Sequence, residues 1–295
     1  MDKGKIFEDS ERIINDIIRV LNSQYKELEK SGYGEQRASD LEQGLVQKNG
    51  IYIPLISIDH RILFDGYETS LLETYIELYS NLFKKWDESF AQFALRTLAE
   101  IGIAKTQILF DENIDIKEKN KYKLLLWLAD YASMSGENPK YKITYDKLLK
   151  EYKNLLTEKE FIFYNNLINQ LSSQTPLENY ESLKKARSKI NDFQSILYSK
   201  TKILPVFRKI NIVSLFSSFS HILHGNVLLL RDILKLKRPD AQKMRIYWAL
   251  LLTGINVINQ IGAYLKDTNI NVSINKTTKD FIKISEQVKN SWSSI

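Results

Sequence analysis

The 295-residue chain has an ordinary globular composition, with 43% hydrophobic and 26% charged residues, which argues against disorder. It contains no cysteine, so disulfides, thiolate metal sites and cysteine nucleophiles are excluded. Only 11 glycines and 5 prolines leave long uninterrupted segments, which favours helices over a many-stranded sheet. The first residues lead into an amphipathic pattern without the apolar core of a secretory signal. We therefore expect a cytoplasmic protein.

Positive charge is concentrated in the second half of the chain. From Lys184 to Arg245 there are 14 lysines and arginines against three acids, a net charge of +11, whereas the remainder carries −5 of the total of +6. This asymmetry favours an acidic partner such as RNA or another phosphate-bearing ligand. The alternative is that these side chains lie on solvated helix faces and have no partner.

The pattern of apolar and polar residues along the chain predicts an all-α multi-helix bundle with a small β-hairpin near residues 45–58. Apolar residues at three- and four-residue spacing predict the first helix at Ile6–Lys30, and Asn49-Gly50 predicts the hairpin turn. Periodicity, breakers such as Pro139, and capping signals such as the capping box at Thr157–Glu160 predict the remaining helices. These are Tyr67–Trp86, Glu88–Phe110, Lys117–Ser135, Tyr145–Leu156, Glu158–Ser172, Leu177–Tyr198, Ile210–Leu236, Ala241–Leu265 and Thr277–Ser291.

We expect one helical domain spanning residues 1–295, because no repeat of 20–50 residues and no long linker is present. Residues 140–174 are predicted to form a helical-hairpin insertion. Four of the most apolar helices are predicted to build the core: Tyr67–Trp86, Glu88–Phe110, Ile210–Leu236 and Ala241–Leu265.

One of these helices is apolar enough over Ile246–Leu265 to be considered as a membrane span. Asn256, Asn259 and Gln260 interrupt that stretch, and their amides would need partners at bilayer depth. This favours a buried core helix, and no membrane is expected as a partner.

The segment Ile210–Leu236 carries two of the three histidines, His221 and His224. If it is helical, both histidines share one side with Ser217 and Arg231, whereas Asn226 lies on the apolar face. Such a polar strip is suited to general acid–base chemistry or to binding phosphate. The alternative is a histidine pair that bonds to neighbouring helices and organises their crossing.

Arg96 and Glu100 lie one turn apart in a segment that is otherwise apolar nearly all round. A buried charge must be paired, so one interpretation is an internal ion pair that fixes helix register. The other is that Arg96 faces the same cavity as His221 and His224, with Glu100 as a further ligand-binding residue.

Several classes of site are excluded by the residues available. No glutamate precedes a histidine by three residues, as a di-iron bundle requires, and a zinc site would have only His221, His224 and a remote carboxylate. No phosphate-cradling glycine loop or nucleotide fingerprint is present. We therefore expect neither a metal nor a cofactor. The 16 scattered tyrosines favour core and interface packing over a base-stacking platform.

Two short motifs carry a family resemblance. The Leu-Arg-Thr-Leu-x-Glu pattern within Phe93–Ile108 and the Ser-x-x-x-His-x-x-x-Gly-Asn pattern within Val213–Asn226 resemble paired helices of prokaryotic HEPN-like helical bundle proteins. The resemblance implies a helical bundle of a type often associated with stress or phage defence. It also implies a relation to metal-independent ribonucleases, in which an arginine precedes a histidine by four to six residues.

This chain departs from the ribonuclease pattern, because the arginine that most closely precedes His221 is Arg208. Catalysis would need Arg96 or Arg231 to stabilise the phosphate charge and His221 to act as general base. The leading hypothesis is therefore a protein that binds RNA or a phosphate-bearing ligand through a His/Arg cavity. The alternative is a non-enzymatic interaction or scaffold protein that forms a homodimer.

Overall fold

A computed structural model describes residues 3–30, 45–48, 51–54, 67–84, 88–135, 139–171, 175–200, 239–266, 276–284 and 286–287. These residues are almost entirely helical, which confirms the all-α class. We label the α-helices α1 Lys3–Leu28, α2 Tyr67–Lys84, α3 Glu88–Ala99, α4 Thr106–Phe110, α5 Ile116–Met134, α6 Pro139–Glu151, α7 Glu158–Leu171, α8 Pro176–Lys200 and α9 Pro239–Leu265. A π-helical turn, Glu100–Lys105, joins α3 to α4, and a 3₁₀ turn, Lys153–Leu155, follows α6.

Helix α6 departs furthest from its prediction, since it begins at Pro139 and not at Tyr145. Proline was interpreted as a breaker here, but the first turn of a helix tolerates it because an N–H in that turn has no partner within the helix. Residues 276–284 are helical as predicted. The predicted helix Ile210–Leu236 lies outside the described residues.

Two strands of four residues, β1 Leu45–Lys48 and β2 Ile51–Pro54, pair antiparallel with Lys48 opposite Ile51. The Asn49-Gly50 turn and residues 55–58 are not among the described residues. The β-hairpin at residues 45–58 therefore stays a prediction.

The chain divides into two compact units. Residues 1–31, 68–111 and 202–295 form unit 1, and residues 32–67 and 112–201 form unit 2. Residues 140–174 fall inside unit 2. A single domain over residues 1–295 and an insertion at residues 140–174 stay predictions.

Helix α9 is the centre of unit 1. It packs along α1 and also contacts α3, the π-helical turn and α4. The buried stripe of α1 recurs at three- and four-residue spacing and comprises Ile6, Ser10, Ile13, Ile17, Leu21, Gln24 and Leu28, with Ile14 beside it. The predicted core omitted α1, because an amphipathic pattern shows that a helix has a buried face but not which helix covers it.

Two glycines allow the helices of unit 1 to pack closely against two buried tyrosines. A Cβ atom on Gly254 would lie 2.7 Å from both Ile17 Cγ2 and the Tyr79 hydroxyl, and one on Gly102 would lie 2.7 Å from Tyr75 Cε2. Both tyrosines are fully buried, and the Tyr79 hydroxyl donates to the carbonyl of Leu250 at 2.9 Å. Glycine is needed at both positions because any side chain would push these helices apart.

The π-helical turn places a backbone carbonyl where α9 can bind it. The Thr106 N–H donates to the carbonyl of Ile101, five residues back. After the turn, the backbone hydrogen bonds again join residues four apart. This change of spacing leaves one carbonyl without an N–H donor. Asn256 Nδ2 donates to the carbonyl of Gly102 at 2.7 Å from a buried position. The asparagine therefore satisfies the carbonyl that the π-helical turn exposes.

Among the described helices, one is long and apolar enough to be compatible with a membrane span, over Ile246–Leu265, and 83% of it is buried within the protein. Two of its three interrupting amides have protein partners: Asn256 binds Gly102, and Asn259 Nδ2 donates to the carbonyl of Ile255 at 2.9 Å. This arrangement is the one expected of a core helix.

In unit 2, helix α5 packs against α6, α7 and α8. The predicted capping box at the start of α7 is confirmed, since the Thr157 N–H donates to Glu160 Oε2 at 2.7 Å and the Glu160 N–H donates to Thr157 Oγ1 at 3.3 Å. Glu160 also accepts from Lys121 Nζ of α5 at 2.8 Å. Both side chains are mostly buried, with 26% and 16% of their surface exposed. This ion pair ties α7 to α5.

We expect Asn256→Leu to lower the free energy of unfolding by about 1–3 kcal/mol, because it leaves a buried carbonyl without a donor. The matched control is Asn259→Leu, whose amide binds only a carbonyl of its own helix, and which we expect to cost less than about 1 kcal/mol. Urea unfolding of the three proteins measures both values. Equal costs would contradict the special role of Asn256.

We expect the contribution of Glu160 to stability to depend on pH. Burial acts to raise its pKa, but the hydrogen bonds from Lys121 and Thr157 outweigh burial and hold the pKa below its usual value. A carboxylate with a lowered pKa stabilises the fold above its unfolded-state pKa and loses that contribution as pH falls through the folded-state value. Glu160→Gln should therefore cost about 1–2 kcal/mol at pH 7, with the cost shrinking below about pH 4.5.

Unfolding measured from pH 3 to pH 7 tests this pH dependence. Glu181→Gln serves as the control, because Glu181 lies 3.9 Å from Lys184 and both side chains are more than half exposed. A cost for Glu160→Gln that stays constant across the range would contradict the assignment.

Candidate functional site

The seven residues predicted for a site divide into two groups. His221, His224, Ser217, Asn226 and Arg231 lie in residues 201–238, which are outside the described residues. Arg96 and Glu100 are described. The predicted His/Arg cavity therefore stays a prediction. The structure gives the positions of Arg96 and Glu100 alone among its residues.

Arg96 and Glu100 lie on the solvent side of their helix. Arg96 is half-buried, and the Glu100 side chain is 46% exposed with its Oε1 atom 3.9 Å from Lys105 Nζ. The opposite side of α3 buries Leu95, Leu98 and Ala99. Neither charge is fully buried. Both interpretations of the pair, an internal ion pair that fixes helix register and a cavity shared with His221 and His224, stay predictions.

A second charged group ties α1 to α9. Glu11 Oε1 accepts from the Tyr247 hydroxyl at 2.7 Å and from Lys243 Nζ at 3.0 Å. Lys243 Nζ also lies 4.9 Å from the centre of the Phe7 ring. The Tyr247 hydrogen bond, together with Lys243 and against partial burial, holds the pKa of Glu11 below its usual value. Because this carboxylate is ionised and already has its donors, the group serves to stabilise the helix pair.

A polar cleft lies between α1 and the terminal helical residues, with two adjoining cavities of about 250 and 180 Å³. Arg12 lines both cavities. It lies 3.5 Å from Asp9, and Arg19 hydrogen-bonds to Asp16. Lys5, Lys276 and Lys283 also line the cavities, together with Asp280. The cleft therefore carries a small net positive charge that is interspersed with carboxylates.

The strongest concentration of positive charge within the described residues lies on α8. Lys184, Lys185, Arg187 and Lys189 fall within six residues, and all four are exposed. Lys185 and Arg187 form no ion pair with any residue that the structure describes. Lys184 has only the 3.9 Å contact with Glu181, and Lys189 Nζ lies 4.5 Å from the centre of the Phe163 ring.

These cations are available because α8 buries so little of itself. Of its 25 residues, the buried ones are Ala186, Ile190 and Leu197. A capping box holds its start, where the Thr175 N–H donates to Glu178 Oε2 at 2.9 Å. The rest of the helix surface is free to bear charge. We call the four cations at 184–189 the α8 basic cluster.

The α8 basic cluster suits the binding of phosphate groups. Ammonium and guanidinium groups are donors only, and both bind phosphate through charge-assisted hydrogen bonds. No group of three potential metal ligands among His, Asp and Glu occurs within the described ranges, and none of the four cations lies in an enclosed pocket described there. The cluster can therefore bind an extended anion on a surface.

The sequence signal for this cluster was the net charge of +11 over Lys184–Arg245. This net charge indicated that the region is positively charged. It did not distinguish cations that form ion pairs from cations that do not. Exposure and pairing are the observations that single out residues 184–189.

Comparison with known proteins adds no assignment. No protein-family model, no curated protein and no solved structure matches the chain. A function for this protein therefore has to be argued from its own residues.

Proposed function

We propose that this protein binds RNA, or another phosphate-bearing ligand, through cations exposed on its surface. The observation that carries the proposal is the α8 basic cluster, with four exposed cations in six residues of which two have no ion pair among the described residues. Phosphate contacts supply most of the affinity of non-specific nucleic-acid binding. Exposed cations are solvated, so leaving them without ion pairs costs the protein little free energy. When they bind phosphates, the release of counterions from the nucleic acid favours binding.

We also propose the family, the location and the site residues that the sequence predicts. The protein is a cytoplasmic HEPN-like helical protein in stress or phage defence, and His221, His224, Arg96 and Glu100 form a His/Arg cavity of their own for the ligand. If it cleaves RNA, His221 is the general base and Arg96 or Arg231 stabilises the phosphate charge. The half-exposed position of Arg96 is compatible with a role in binding.

We expect Lys185→Gln/Arg187→Gln to weaken RNA binding and to reduce its salt dependence. If each side chain contacts one phosphate, the slope of log K against log salt falls by about 1.4 for a single strand. Fluorescence anisotropy with a labelled RNA between 50 and 200 mM salt measures both quantities.

The matched control is Lys147→Gln/Lys150→Gln, which removes two exposed lysines of α6 in the same unit. Equal losses in the two variants would contradict an interface at α8 and indicate a general charge effect. Absence of binding by the unaltered protein at the lowest salt would contradict RNA binding altogether.

The histidine pair is tested by His221→Ala/His224→Ala in the same assay. If the pair belongs to a binding site, the double variant should melt as the unaltered protein does and bind RNA at least about tenfold more weakly. A large fall in melting temperature would instead indicate that the histidines serve packing. Unchanged binding by a stably folded variant would remove them from the site.

A second candidate function is a non-enzymatic interaction or scaffold protein that forms a homodimer. The observation that favours it is the set of exposed apolar side chains in unit 2, among them Ile116, Ile162 and Leu177. Sedimentation velocity separates the two candidates, since a dimer without affinity for RNA would support the scaffold.

A further inference from the structure

One face of α8 combines an exposed aromatic ring with two of the cations. Leu177, Tyr180, Lys184 and Arg187 follow one another at intervals of three, four and three residues, which keeps them within about 80° of arc on a helix. All four are exposed. Ala186, Ile190 and Leu197 turn the other side of α8 toward the rest of unit 2. We call these four residues the α8 outer strip.

Tyr180 is the unusual member of this strip. It is 61% exposed, whereas Tyr75, Tyr79, Tyr122, Tyr145 and Tyr164 are fully buried. Its ring makes no aromatic contact and its hydroxyl no hydrogen bond with any described residue. Core packing therefore does not account for Tyr180. Folding of the described part of the chain gains little from the Tyr180 ring, so the ring is available to a ligand.

The spacing of the strip matches a nucleotide with its phosphates. Lys184 follows Tyr180 by one turn, a rise of about 6 Å, and Arg187 is about 4.5 Å further along. A base stacked on the tyrosine ring therefore has cations within a turn of the helix for the phosphates that flank it. This pairing of aromatic platforms with a cationic track is how proteins bind single strands with little sequence preference.

Two acids lie at the start of the same helix. Glu178 accepts hydrogen bonds from Thr175, which hold its pKa below its usual value, and Glu181 is 3.9 Å from Lys184. Glu178 is already engaged in capping, and the Glu181 contact is long and exposed, so a phosphate competes with it readily. The strip therefore keeps its net attraction for a phosphate chain.

We infer that Tyr180 stacks on an unpaired base while Lys184 and Arg187 bind the adjoining phosphates, so that the ligand is single-stranded RNA. The inference rests on the proposed function and specifies its substrate class. A duplex hides the faces of its bases within the stack and offers the strip phosphates alone. Leu177, 74% exposed, is one turn before the ring and extends the apolar contact surface.

The test compares a 12-nucleotide unstructured RNA with a duplex of the same length at 100 mM salt. The unaltered protein should bind the single strand more tightly. Tyr180→Ala should weaken single-strand binding by roughly 5- to 100-fold, the range that loss of one stacked base implies, and should leave duplex binding within about twofold. Tyr180→Phe should retain single-strand binding, because stacking needs the ring and not the hydroxyl.

Ile196→Ala is the matched control, since Ile196 is 55% exposed on another side of the same helix; it should bind as the unaltered protein does. Circular dichroism melting verifies that each variant is folded. If the unaltered protein binds single-stranded RNA and folded Tyr180→Ala binds it equally well, the inference is overturned while RNA binding stands. If the unaltered protein binds neither RNA, the proposed function fails first.

Discussion

The close approach of α9 to its neighbours is the constraint on which unit 1 depends. Gly254 lets α9 lie against Ile17 and Tyr79, and Gly102 lets the π-helical turn lie against Tyr75. Two large rings are buried where the helix backbones nearly touch, and side chains at the glycine positions would prevent that packing. The apolar stripe of α1 is buried by the same helix. Small residues at two positions thus decide how three helices and a turn come together.

The π-helical turn follows from this packing and has a consequence for the surface. One extra residue in the turn between α3 and α4 rotates everything after it relative to Arg96. Asn256 offsets the cost by donating to the carbonyl that the turn leaves open. Glu100, at the start of the turn, is half exposed beside Lys105 at its end.

Local signals were sufficient for the helices and insufficient for their assembly. Apolar periodicity predicted α1, α5 and α9, and the Thr157 capping box placed the start of α7. The sequence did not reveal that α1 covers α9, because a buried face does not identify its partner. It did not reveal the π-helical turn either, because the carbonyl that defines it is satisfied by Asn256, 154 residues away. The basic region was visible as net charge, but which cations are unpaired depends on packing.

In helix α8, the residues that stabilise the fold and the exposed cations lie on different sides of the helix. Its capping box and one line of buried side chains tie it to unit 2, and i,i+3 charge pairs add little. Its outer side contributes little to the packing of the described residues. It carries cations that have no ion pair among those residues, and a tyrosine that is mostly exposed. Solvated polar residues would serve a structural helix equally well. The proposed single-stranded RNA, with flat base faces and negative phosphates, would use both the exposed ring and the positive charge.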